Sequence, residues 1–283
     1  MSNTINIENK EGLEFLKTIS NNSIDLILTD PPYIISKDTG MDKLHKKIQE
    51  NDGKDMKTED DWKKYCETVN KPEKEIKKGF GKGWSKENYI KYGHIQGKKY
   101  ATKTQFGEWD NTFTMEQLDS FVKEYYKKLR KGGTLIVFFD IWKLSELKDL
   151  MEKHKFKQIR FIEWIKTNPQ PINSKINYLT NCREIALLGV KGGKPTFNSK
   201  YDNGIYKYPM ASGKNRFHPT QKNVDLFVDL IEKHSNEGDL VMDTFLGGGT
   251  TAIASKKTKR NFTGCEINKE YYEKIKKIID SIE

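Results

Sequence analysis

The stretch Thr134-Leu135-Ile136-Val137-Phe138-Phe139 has five apolar side chains in six positions and no polar face. A strand sends successive side chains to opposite sides, so this one must be covered on both. That demands a sheet with a layer on each face. The rest of the chain can supply it. Strand-like runs at 4–8, 24–29, 158–165, 184–190, 239–243 and 262–266 alternate with helical patterns at 12–19, 115–129, 142–154, 224–234, 250–259 and 270–282. Such alternation predicts an α/β fold: a mostly parallel twisted sheet with helices on both faces. Gly132-Gly133 is expected to stop the helix that ends at Leu129, and His218-Pro219-Thr220 to open the helix at Val224. Residues 191–214, rich in Gly, Lys, Asn and Tyr, are expected to be loop.

Residues 36–106 break the pattern. Lysines come in pairs, aliphatic residues are scarce, and aromatics such as Trp62, Tyr65, Trp84 and Tyr89 are interleaved. This predicts an insertion between a catalytic domain's two pieces, 1–35 and 107–283. The formal net charge of +10 favours a polyanionic partner. A basic segment dotted with aromatics suits phosphates and unpaired bases, although the same composition also suits a solvated flap with its own aromatic cluster. Cys66, Cys182 and Cys265 lack CxxC or His spacing, which argues against a disulfide framework or structural zinc and fits a reducing cytoplasm. No run approaches the ~20 apolar residues that span a bilayer, no signal peptide is expected, and no metal-ligand cluster is visible.

Two loops carry the chemistry. The run Ile24–Thr29 ends abruptly at Asp30-Pro31-Pro32-Tyr33. Each proline keeps the residue before it extended, so the loop is stiff. It offers a carboxylate, a carbonyl and an aromatic face, which together suit an exocyclic amine on a flat ring. A plain strand-to-loop turn with a solvent-facing aspartate has the same sequence. Downstream, Asp243-Thr244-Phe245-Leu246-Gly247-Gly248-Gly249-Thr250-Thr251 joins a strand to a helix. Gly247, Gly249 and Ala252 fit a nucleotide-binding glycine spacing at a helix N-terminus. Glu266 closes the next strand, where an acid can accept both ribose hydroxyl protons. Open parallel sheets bind ligands beyond the carboxyl ends of their strands. Both loops lie at such ends, so a group could pass from a nucleoside cofactor to an amine.

Together the two loops resemble the amino-group DNA methyltransferases that use S-adenosylmethionine. The order, Asp-Pro-Pro-Tyr first and the glycine loop last, is similar to their beta group. Three further stretches agree: Asn215–Lys222, Trp164–Pro171 and Gly107-Glu108-Trp109-Asp110. The resemblance implies a Rossmann-like methyltransferase fold with permuted motif order and methyl transfer to adenine N6 in DNA, with the base flipped from a duplex or single-stranded. Cytosine N4 is the alternative, and an RNA substrate a further one; that cytosine branch more often has serine where Asp30 stands. Asp30, Pro31, Pro32 and Tyr33 would be catalytic. Glu11, Asp30, His218, Thr220, Lys222, Asp243, Phe245, Gly247, Gly249, Thr250, Thr251 and Glu266 would line the cofactor. The chain departs from the pattern at Glu11 (usually aspartate), Thr244 and Asn223 (each commonly proline) and Gly248 (commonly serine or alanine). A bacterial or phage protein, a homodimer and a cognate restriction endonuclease belong to the same expectation, with 191–214 as a target-recognition element.

Overall fold

The computed structural model describes residues 3–34, 57–69, 86, 89–90, 113–169, 179–211, 217–218 and 220–282. The chain divides into two units: Met1–Ile34 with Gly107–Glu283, and Ile35–Phe106. In order, the described elements are β1 (Ile5–Glu8), α1 (Gly12–Thr18), β2 (Ile24–Thr29), α2 (Glu59–Thr68), α3 (Met115–Lys128), β3 (Leu129–Phe139), α4 (Leu144–Lys153), β4 (Lys157–Lys166), β5 (Arg183–Val190), β6 (Ile205–Tyr208), α5 (Val224–His234), β7 (Leu240–Asp243), α6 (Thr250–Lys257), β8 (Asn261–Cys265) and α7 (Lys269–Ser281). All but α2 belong to the larger unit.

Its eight strands form one sheet in the order β1-β8-β7-β2-β3-β5-β4-β6. Neighbours run parallel except at β5, which is antiparallel to both β3 and β4. The apolar run in β3 sorts by parity. Ile136 and Phe138 face a layer with Leu226, Phe227 and Leu230 of α5 and Ala252 of α6. Leu135, Val137 and Phe139 face Phe15 of α1, Phe121 and Tyr125 of α3, and Leu147 and Met151 of α4. All five β3 side chains are at most 1% exposed. Burying each such side chain favours folding by about 1.5–3 kcal/mol, which is what holds the helices on both faces.

Gly132-Gly133 does not end α3. The helix stops at Lys128, and Leu129 is already extended (φ −60°, ψ 140°). The glycines lie inside β3, in a bulge: β2 advances from Ile24 to Leu26 while β3 advances from Leu129 to Thr134. Gly132 has φ +79°, and its N–H donates to Lys191 O (2.9 Å) and Gly192 O (2.7 Å). A Cβ there would collide with Lys194 O. Gly132→Ala is therefore expected to destabilise the protein by about 1–3 kcal/mol, read as a lower denaturant midpoint at unchanged slope. An unchanged midpoint would show that the bulge tolerates a side chain.

Residues 191–214, expected to be loop, contain β6, which pairs with β4 from Glu163↔Ile205 to Lys166↔Tyr208. Four residues at a sheet edge, flanked by Asp202-Asn203-Gly204, carry too short a pattern to stand out. The cap of α5 is Asn223, whose side chain accepts from Leu226 N at 2.9 Å, so His218-Pro219-Thr220 does not open the helix directly.

In the smaller unit, α2 starts with a capping box between Thr58 and Asp61. Trp62 is 2% exposed and stacks on Tyr65 (5.6 Å between ring centroids), and Tyr89 packs against both, at 5.4 and 4.7 Å. Three aromatics of this unit thus serve a local cluster. Most of 36–106 and the stretch Gly107-Glu108-Trp109-Asp110 lie outside the described residues.

Candidate active site

The chain runs from β2 to β3 on one side of the sheet and from β7 to β8 on the other. β2 and β7 are neighbours, so the order reverses between them. At such a switch point the loops leaving the carboxyl ends diverge and open a crevice. Asp30 follows β2 and Asp243 closes β7, so the fold brings both predicted loops to that place. The Thr29 hydroxyl joins them by donating to Asp243 Oδ1 at 2.7 Å.

Asp243 is almost fully buried and highly bonded. Oδ1 also accepts from Phe245 N (2.9 Å), and Oδ2 from the Thr251 hydroxyl (2.6 Å). Burial raises its pKa, and the Thr251 and Thr29 hydroxyls and the Phe245 N–H oppose that rise. This carboxylate shapes the turn between β7 and α6. Gly247 (φ +50°) and Gly249 (φ +75°) complete the turn in the left-handed region, with Gly249 capping α6. A Cβ on Gly249 would sit 2.8 Å from Ile275 Cγ2. Thr250 is buried, and its hydroxyl donates to Lys222 O at 3.3 Å. Phe245 packs on Phe113 and Phe121, with centroids at 5.5 and 4.7 Å.

Glu266 lies one residue beyond β8, 6% exposed. Its Oε2 accepts from Gly247 N and its Oε1 from Asn268 N, both at 2.8 Å. Burial pushes its pKa up to about 7, against the pull of these two N–H groups. Each carboxylate oxygen still has a lone pair for a further donor. Glu11 stands close by in the chain's path: Lys10 N and Asn9 Nδ2 both donate to Glu266 O, at 3.2 and 2.7 Å. Its own carboxylate is exposed and caps α1 by accepting from Glu14 N. The His218 ring meets Tyr271 edge-on (4.8 Å), lies 3.2 Å from the Thr220 hydroxyl, and would touch a Cβ on Gly247 at 3.3 Å. His218 and Thr220 therefore stand at the glycine turn.

The catalytic-loop candidates form a second cluster. Pro31 is buried; Asp30, Pro32 and Tyr33 are half-buried. The Tyr33 ring meets Phe139 edge-on at 6.1 Å. Lys222, aligned by resemblance with the cofactor's methionine end, sends its ammonium to Asp30 Oδ2 (2.9 Å) and Glu184 Oε2 (2.6 Å), and over the rings of Tyr33 and Phe138. Glu184 Oε1 in turn accepts from Lys166 Nζ at 2.7 Å. Asp30 Oδ1 is buried and has no hydrogen-bond partner among the described residues. Burial pushes the Asp30 pKa up to about 6; Lys222 opposes the rise, and Glu184 and Asp243 add to it. Burial, and then the Asp30 charge, hold the Tyr33 phenol well above its ordinary value, so it stays neutral.

Glu184 is a member of this cluster that the sequence does not announce. It sits in β5, far in sequence from either loop, and its only signal is a carboxylate in a largely apolar strand. Among the described residues, no His, Cys, Asp and Glu cluster is arranged to hold a metal ion, and no helix is long and apolar enough to cross a membrane.

A DNA methylase family model, of the N6/N4 class, matches residues 24–277. The chain belongs to the DNA methylase family. Its relatives include the type II methyltransferase M.HpaI of Haemophilus parainfluenzae, 28% identical over 95% of this chain and 72% of that protein. M2.MboI of Moraxella bovis is 25% identical over 95% of this chain and 85% of the relative. Among solved structures, the M1.HpyAVI–SAM complex superposes on this DNA methylase with a TM-score of 0.60 at 23% identity, covering 97% of this chain and all of the other. The cytosine-N4-specific PvuII DNA methyltransferase superposes at 0.64 with 14% identity, covering 100% and 88%. These identities are low enough that the structural likeness concerns the fold.

Proposed function

We propose that this DNA methylase transfers the methyl group of S-adenosylmethionine to N6 of adenine in DNA, using Asp30 to receive the amine. The observation that carries the proposal is Asp30 Oδ1. A buried carboxylate oxygen without a partner is costly to leave so. At a switch point, beside a loop that suits a nucleoside, it is an acceptor waiting for a donor. An exocyclic amine is a donor of that kind.

The residues present fit the cofactor. The left-handed glycines leave the turn open at a helix N-terminus, and Glu266 has lone pairs for the two ribose hydroxyls. The Gly247–Thr251 turn, shaped by Asp243, would hold the methionine part together with His218, Thr220 and Phe245, and Glu11 would lie towards the adenine. When bound, the cofactor supplies an electrophilic methyl group on a sulfonium. The chain does the rest. Asp30 Oδ1 and the Pro31 carbonyl accept the two amino protons, which draws the nitrogen lone pair out of ring conjugation. Tyr33 stacks on the base. Asp30 then takes the proton that the nitrogen sheds. Positioning and fixed charge are the main sources of rate. Inside a duplex the amine is out of reach, so the base is flipped or unpaired.

Aspartate rather than serine at position 30 favours adenine over cytosine. Type II relatives support a cognate restriction endonuclease, and a homodimer belongs to the same reading. The lysine-rich 36–106 segment and residues 191–214 are the proposed DNA contacts. Expression in a host without DNA methylation, followed by single-molecule sequencing of its genome, tests this: N6-methyladenine at one recurring sequence is expected, and an unmodified genome would contradict it.

The carboxylates set the pH dependence. Asp30 must be ionised to accept, so turnover at saturating substrates should fall as pH drops through about 6. Glu266 accepts best as a carboxylate, so cofactor affinity should rise as pH rises through about 7. Calorimetric titration of the cofactor alone separates the second effect from the first. A single shared midpoint in both measurements would contradict the assignment.

A further inference from the structure

Four charged side chains from four separate segments form one chain of contacts that ends at Asp30. Lys166 ends β4, Glu184 lies in β5, Lys222 precedes α5 and Asp30 follows β2. The links are Lys166 Nζ–Glu184 Oε1 at 2.7 Å, Glu184 Oε2–Lys222 Nζ at 2.6 Å and Lys222 Nζ–Asp30 Oδ2 at 2.9 Å. The side chains are 12%, 18%, 7% and 19% exposed, so the contacts are largely sheltered from water. Signs alternate along the chain, and the formal charge sums to zero. Its last atom, Asp30 Oδ1, has no hydrogen-bond partner among the described residues.

Lys222 has three donors, and three acceptors surround it: Asp30 Oδ2, Glu184 Oε2 and, more loosely, the Tyr33 hydroxyl at 3.4 Å. Its backbone is fixed as well. The Lys222 carbonyl accepts from Thr250 of the glycine turn, and Asn223 next to it caps α5 and donates to Pro209 O at 3.0 Å. An aspartate's terminal torsion is broad, so a lone Asp30 carboxylate would rotate. Pinning Oδ2 from a fixed ammonium stops that rotation and leaves Oδ1 facing the amine. Glu184 keeps the ammonium centred between the two carboxylates. It also offsets a positive charge that would otherwise repel a sulfonium and make Asp30 a poorer proton acceptor.

We infer that Glu184 is a positioning residue for methyl transfer, acting through Lys222 to hold Asp30 with Oδ1 open to the target amine. This deepens the proposed function and rests on it. The charges facing Asp30 are Lys222, Glu184 and Asp243, with the neutral Tyr33 phenol beside them and Lys166 one step further along. Burial works against a charged Lys222, but Asp30 and Glu184 more than offset it, so the lysine stays protonated well above its ordinary range. Burial likewise works against a charged Glu184, but Lys222 and Lys166 hold its pKa below the usual value, so it stays ionised.

The alternative is that the four charges only staple strand ends together. Paired variants separate the two. Glu184→Gln keeps the shape and removes a negative charge near Asp30, so the acid limb of turnover should move to lower pH. Lys222→Met removes the positive charge, so the limb should move to higher pH. Both should lower kcat by about 100-fold through misplacement of Asp30, and in Glu184→Gln the cofactor affinity measured without DNA should change less than about threefold. A staple that lacks a catalytic role would lower the melting temperature without moving the two limbs in opposite directions. Opposite shifts with reduced kcat support the inference. Unmoved limbs, or a higher cofactor KM at unchanged kcat, overturn it. Should Lys222→Met fail to fold, Glu184→Gln decides alone by the direction of its limb and its kcat. Wild-type enzyme assayed in parallel separates the levels: if it methylates no DNA, the proposed function falls and this inference with it; if it methylates normally while Glu184→Gln does too, only this inference falls.

Discussion

Asp30→Ala should lower methyl transfer to DNA by at least about 10³-fold while weakening cofactor binding less than about tenfold. The change removes an acceptor aimed at the reacting nitrogen, and a single such preorganised group typically accounts for about 10²–10³ in rate. It also removes the group that takes the departing proton, which contributes further. The fold should survive. Lys222 loses one carboxylate but keeps Glu184 at 2.6 Å, so no buried charge is left alone. Asp30→Asn is the more discriminating variant, because it keeps the size and one carbonyl acceptor but cannot take a proton. It should fall close to the alanine variant. An asparagine enzyme with near wild-type turnover would mean that the proton leaves by another route.

Glu266→Ala should do the reverse. Losing two hydrogen bonds to a charged group, at about 1.5–3 kcal/mol each, predicts cofactor affinity reduced by about 10²- to 10⁴-fold. Turnover at saturating cofactor should stay within about tenfold of wild type, because Glu266 bonds the Gly247 and Asn268 N–H groups and lies apart from the Asp30 cluster. The Gly247 N–H loses its partner, so some loosening of the turn adds to the loss. Calorimetry for binding and single-turnover kinetics for transfer read the two effects separately. A Glu266 variant with intact affinity and slow transfer would place the ribose elsewhere.

The layering of the larger unit was readable because it is local. The run Thr134–Phe139 has no side it can show to water, and the parity of its side chains assigns the helices to two faces. The meeting of the two loops was readable for a similar reason: each ends a strand, and each carries residues whose backbone demands are unusual. What escaped was non-local. That β5 runs antiparallel depends on its partners β3 and β4, and nothing in Arg183–Val190 states a direction. Gly132-Gly133 reads as a helix stop because glycine often is one, yet its partners are the carbonyls of Lys191 and Gly192, some sixty residues on. The Lys166–Glu184–Lys222–Asp30 chain is non-local throughout, joining four segments. Lys222 stood within a recognisable stretch, but only the folded chain puts its ammonium on Asp30 while its carbonyl stays with the glycine turn. Family membership accounts for the reaction class; the proposed choice of adenine over cytosine rests on the resemblance at position 30.

Purified protein is incubated with unmethylated DNA, duplex and single-stranded, and S-adenosylmethionine; the DNA is digested to nucleosides and analysed by mass spectrometry beside an Asp30→Ala control. N6-methyldeoxyadenosine is expected with the wild-type protein and none with the control. N4-methyldeoxycytidine, or no methylated nucleoside from a protein that binds the cofactor, would contradict the proposed function.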